Sequence, residues 1–168
     1  TSAFLLCLLA KGPGMESALM CMFSSILITA AFIDARHMYI PDGIHILILI
    51  LCCISLAAGS GPAIINRLGG SLLAGGFLAL VNLLSRGGVG WGDVKLFAAS
   101  GLLIGAAPAI TALLMGYVAA GLWYAVPLVR GRVGRKTQIP MAPFFAVSLM
   151  VCGLWFRQLF LWYLGFFR

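Results

Sequence analysis

The amino-acid sequence predicts an all-α membrane protein, a bundle of about six transmembrane helices, and three observations lead there. The 168 residues are 62% hydrophobic and 9% charged, with a mean hydropathy of +1.11; soluble domains carry about 25% charged residues. Apolar runs approaching the roughly 20 residues needed to cross the hydrocarbon core recur along the chain. These runs are continuous, which excludes an outer-membrane barrel, whose strands alternate lipid-facing and lumen-facing positions. A formal charge of +7 would suggest nucleic acid in a soluble protein. Here the basic residues collect in short connections, as the positive-inside rule expects, so membrane lipid and no nucleic acid is the expected surrounding.

The elements follow in chain order. Residues 1–14 are treated as a separate N-terminal segment, because the apolar run 1–10 is too short to span and Lys11-Gly-Pro-Gly14 breaks it off. Residues 15–168 form the membrane domain. Met15–Ile33 is uncharged apart from Glu16 and makes span one, followed by a polar connection at Asp34–Pro41. Span two covers about Gly43–Ala58, and span three about Leu68–Ser85, whose glycines and alanines favour close helix packing. Arg86–Gly92 is a glycine-rich connection. The uncharged stretch Leu96–Val129 is too long for one span, and Gly105-Ala-Ala-Pro108 divides it into spans four and five. Arg130–Lys136 is a basic loop, read as a topology determinant, and span six runs from near Pro140 to about Phe156. Placing the basic loop in the cytoplasm puts the connections 86–93 and 34–41 on the same side, with little beyond Lys11 and Arg67 in the opposite loops.

The chain has four acidic residues, Glu16, Asp34, Asp42 and Asp93. Three stand at span ends on one face. Capping is an adequate account of Asp42 at the start of span two and a possible one for Asp93 at the start of span four. It fails for Asp34, which closes a span where the helix dipole disfavours a carboxylate. Two carboxylates in a low-dielectric site share a proton, so one can take a proton from water while the other donates to a peptide carbonyl. Gly87, Gly88, Gly90 and Gly92 keep the backbone ahead of Asp93 free of side chains, so an extended substrate could lie there. No metal or cofactor is expected. His37 and His45 lack a ligand-like spacing and are expected in loop or interfacial roles, and the five cysteines lie in apolar segments as packing residues.

These residues resemble a known family. Asp34-Ala-Arg-His-Met-Tyr-Ile-Pro-Asp42 is similar to the first-aspartate motif of type IV prepilin peptidases. Gly90-Trp-Gly-Asp-Val-Lys-Leu96 resembles their second-aspartate motif, and Ile139-Pro-Met-Ala-Pro-Phe-Phe145 resembles the segment opening their last conserved span, with Met141-Ala142 replacing Phe-Gly. The resemblance implies a membrane aspartic endopeptidase with Asp34 and Asp93 as its catalytic pair. It implies supporting or substrate-binding positions at Pro41, Asp42, Gly90, Gly92, Lys95 and Pro140. For Lys95, a role at the dyad or on substrate stands beside simple snorkelling to the headgroups. The implied substrates are prepilin-like proteins with a short basic leader and a hydrophobic helix, cut at the cytoplasmic face of a bacterial or archaeal inner membrane. Longer members also methylate the new amino terminus through an extra cysteine-bearing domain, so the resemblance here is to the peptidase-only form. Presenilin-type proteases share the Gly-x-Gly-Asp acid, but their partner motifs do not stand here. The reading from another class is a small proton-coupled transporter or a structural subunit of a pilus or secretion assembly, whose acids would be expected deeper in the helices.

Overall fold

A computed structural model describes residues 14–129 and 140–166, which form six helices and no strand. The basic loop Arg130–Lys136 and residues 1–13 lie outside the described residues. Helix α1 is Met15–His37, α2 is Asp42–Ala57, and α3 is Ile64–Leu84, with a π-helical turn at Ser71–Gly75. Helix α4 is Trp91–Ile104, α5 is Ala106–Val129, and α6 is Ala142–Phe166.

Helices α1 and α3, α5 over Ala106–Ala125, and α6 over Ala142–Tyr163 are long and apolar enough to cross a membrane. With α2 as a shorter apolar helix they make a multi-pass membrane fold. Helices α2 and α4 have 16 and 14 residues, so at 1.5 Å per residue they reach only about 24 and 21 Å, short of the roughly 30 Å hydrocarbon core.

The apolar runs locate the helices, and the polar punctuation sets most of the ends. The break expected near Gly105 is there: its φ of 89° suits glycine, and the Asn66 side chain accepts the Ala106 N–H at 3.0 Å to cap α5. Helix α1 departs from expectation by continuing one turn past Ile33, so Asp34 lies in its last turn instead of beyond it. It stops at Met38, whose left-handed backbone (φ 55°) returns its N–H to the Asp34 carbonyl at 2.8 Å. Helix α6 continues past Arg157 through a kink at Trp155.

Glycines bring α3 and α4 into contact. A Cβ at Gly70 would strike the backbone of Gly101, and one at Gly101 would strike Gly70. The packing divides the bundle into two groups, α6 lying along α1 and α5, and α4 lying along α2 and α3, while α4 and α6 touch sparingly. Phe23, Leu27, Ile48, Phe97, Phe145 and Leu149 fill the shared core. Leu72, Leu122 and Trp123 point outward, the distribution expected of a bundle whose outer solvent is lipid.

Candidate active site

Asp34 arrives on the last turn of α1 and is 7% exposed. The N–H of Ala142, the first residue of α6, donates to its Oδ2 at 3.0 Å. An α-helix leaves its first N–H groups without internal partners and carries partial positive charge there. The C-terminus of α1 disfavours a carboxylate, but the N-terminus of α6 supplies what α1 withholds. From the sequence alone Asp34 has no structural partner. The structure supplies one, a side-chain cap on a helix 108 residues away in sequence.

Asp93 comes from the other helix group, in the first turn of α4. Asp34 acts electrostatically on Asp93, and Asp93 in turn on the partly buried phenol of Tyr117. The two carboxyls therefore lie within electrostatic reach of each other, one on each helix group. Among the described residues no hydrogen-bond donor reaches the Asp93 carboxyl. Below it, Phe97 stacks edge-on against Phe145 at 4.9 Å, and Tyr117 packs on the same ring at 5.2 Å, which closes the site toward the core.

The glycine motif has distinct local reasons. Gly90 is the N-cap position of α4, and a Cβ there would stand 3.4 Å from the Asp93 Oδ2. Gly92 lies against Ile40, and a Cβ would come to 3.2 Å of that side chain, tighter than ordinary packing. Asn82 on α3 is buried beneath the connection. With its amide nitrogen toward Val89, it donates to that carbonyl at 2.8 Å while its oxygen accepts from Trp91 Nε1 at 3.1 Å.

The remaining expected positions gather at this end with different partners. Pro41 is the N-cap of α2, where its lack of an N–H costs nothing. Asp42 makes no side-chain cap hydrogen bond. Its Oδ1 instead takes the Lys95 ammonium at 2.6 Å, tying the start of α2 to α4. Lys95 thus neither reaches the dyad nor runs free to the headgroups; it is half-exposed on an ion pair. Pro140 precedes α6, one residue before Met141, whose carbonyl accepts the Phe144 and Phe145 N–H groups.

Three features escaped the sequence reading. The Ala142 N–H is one, since a backbone donor has no residue signature. His45 is the second. Expected in a loop or interfacial role, it is buried in the first turn of α2, its Nε2 3.0 Å from the Gly92 carbonyl. Arg67 is the third. Counted as a loop charge, it is 3% exposed at the opposite end of the bundle. It donates to the carbonyls of Pro62, Ser60 and Leu102, to Ser55 Oγ and to Cys52 Sγ. A cavity of about 430 Å³ also lies at that end, lined by Glu16, Met20, Ser60, Ile104 and Arg157, and includes neither aspartate.

Comparison with known proteins agrees with the motif reading. Residues 21–125 match the type IV leader peptidase family, more than half of the chain. A prepilin leader peptidase/N-methyltransferase of Bacillus subtilis is 30% identical over 140 residues, covering 80% of this chain and 54% of that protein. One of Aeromonas hydrophila is 30% identical over 162 residues, 93% of this chain and 55% of that protein. One of Legionella pneumophila is 28% identical over 146 residues, 84% and 51% respectively. The chain spans about half the length of the curated relatives it matches. No solved structure matches it. With three motifs in order, a family match over most of the bundle and relatives along most of its length, the chain belongs to the type IV leader peptidase family.

Proposed function

We propose that this chain is an aspartic endopeptidase that removes the short basic leader of prepilin-like proteins at the membrane, with residues 15–168 as the peptidase domain. The observation that supports the reading is two carboxyls at one end of the bundle within electrostatic reach of each other, Asp34 held by a single backbone N–H and Asp93 without a donor among the described residues. A carboxylate accepting an N–H is favoured in its charged form. Asp34 therefore serves as the base that takes a proton from water. Asp93 keeps the shared proton and donates it toward the scissile carbonyl as negative charge develops there. The chemistry needs a substrate strand unwound from its helix, and the glycine approach to Asp93 offers a surface free of side chains for it.

The exposed Arg36, in the last turn of α1, and the exposed Arg86, in the connection before α4, stand at the end of the bundle that carries the two aspartates. By the positive-inside rule this end faces the cytoplasm of a bacterial or archaeal inner membrane. A prepilin-like peptide with a basic leader, a glycine and a following apolar helix tests the reading. The chain reconstituted in lipid is expected to cut it once, after the glycine. A chain that leaves such peptides intact, under conditions where it stays folded, contradicts the proposal.

A further inference from the structure

His45 is a buried ionisable residue that the proposed chemistry does not use. Its Nε2 faces the Gly92 carbonyl oxygen at 3.0 Å, and a carbonyl can only accept, so Nε2 carries the hydrogen. The neutral ring then turns a bare Nδ1 toward Asp42 Oδ1 at 3.6 Å, and that nitrogen has no hydrogen-bond partner. The same oxygen already holds the Lys95 ammonium. Gly92 is gripped from a second side by Ile40. The segment from Ile40 to His45 thus holds the start of α4 by three different contacts: an apolar one at Gly92, a hydrogen bond at its carbonyl, and an ion pair at Lys95.

The Gly92 carbonyl belongs to the peptide unit whose nitrogen is that of Asp93. Whatever fixes that plane fixes where the Asp93 side chain departs from the backbone. Asp34 is aimed by a donor on its own carboxyl. Asp93 has none among the described residues and depends on its backbone being held.

We propose that His45 is a positioning residue for Asp93, acting as the Nε2–H tautomer on the Gly92–Asp93 peptide. The inference rests on the peptidase reading. Its test has a structural arm and a kinetic arm. The chain contains two histidines, His37 and His45. In the full chain carrying His37→Gln, labelled with 15N-histidine and held in lipid nanodiscs, His45 is expected to show a protonated Nε2 and a bare Nδ1. A proton on Nδ1 with Nε2 bare overturns the inference, whatever any variant does.

In the kinetic arm, His45→Gln places an amide nitrogen near the Nε2 position, and His45→Leu keeps the bulk without a donor. His45→Leu is expected to lower kcat roughly tenfold, the scale of one lost hydrogen bond, with KM little changed, and His45→Gln to recover most of it. Equal activity of the two variants overturns the positioning role while leaving the peptidase reading intact. A wild type that cuts no prepilin-like peptide while keeping the Nε2–H tautomer overturns both.

Discussion

The two ends of the bundle bury ionisable groups in opposite ways. At one end Arg67 spends its guanidinium on five acceptors drawn from α2, the 58–63 turn and α4. At the other, among the described residues one backbone N–H donates to Asp34 and no donor reaches Asp93. A buried charge is tolerated when its hydrogen-bonding capacity is filled, and a filled network specifies structure. A pair that is buried at Asp34 and half-buried at Asp93, with so few donors, is expected where a reaction uses the spare capacity. Under the proposed function, the contrast separates a residue that holds the fold from residues kept for a substrate, although both look like rare charges in apolar sequence.

The largest expected effect breaks the contrast at the dyad. Asp34→Asn or Asp93→Asn is expected to lower cleavage on the order of 10²–10⁴-fold, the range of a positioned general acid or base. The melting temperature in detergent should change little, since Asn keeps the shape and one acceptor oxygen. Arg67→Met should do the reverse. Stranding several buried acceptors costs about 3 kcal/mol or more in all, read as a lowered melting temperature, while the folded fraction keeps its turnover. A comparable loss of turnover per folded molecule would make the two ends alike.

Gly101→Val tests the close packing of α4 on α3 within one group, because a side chain there strikes α3 backbone. Overpacking of this kind costs about 1–3 kcal/mol, measured by thermal melting. Cleavage against pH is expected to fall on the alkaline side, where the shared proton is lost and both carboxylates ionise. The smallest effect belongs to Lys95→Met. Its ion pair with Asp42 is half open to solvent, and such pairs contribute about 0–1 kcal/mol.

Much of this was legible in the residues. Continuous apolar runs mark helices because lipid demands them, and Gly105 marks the break between α4 and α5 because its left-handed backbone suits few other residues. The gathering of Asp34, Asp42 and Asp93 at one end followed from counting spans. The unread parts depend on partners without a sequence signature. Asp34 is capped by an N–H of α6, and His45 is turned inward by a carbonyl of α4; neither backbone group can be picked out among 168 residues. Arg67 was misplaced for a related reason. It follows the Gly59–Pro62 punctuation and looks like a loop charge, yet the turn folds back and supplies its acceptors. The end of α1 was read a turn short because the polar run Asp34–His37 resembles a connection, while Met38 is what ends the helix.

The central claim is that Asp34 and Asp93 work as one unit, and the double variant tests it most directly. Cleavage of the same peptide is measured for Asp34→Asn, Asp93→Asn and the two together, in chains verified as folded. Groups that share one proton-transfer step give strongly non-additive losses, so the double variant is expected to be no slower than either single one. Losses that multiply, or a single variant that cuts like the wild type, would contradict the account.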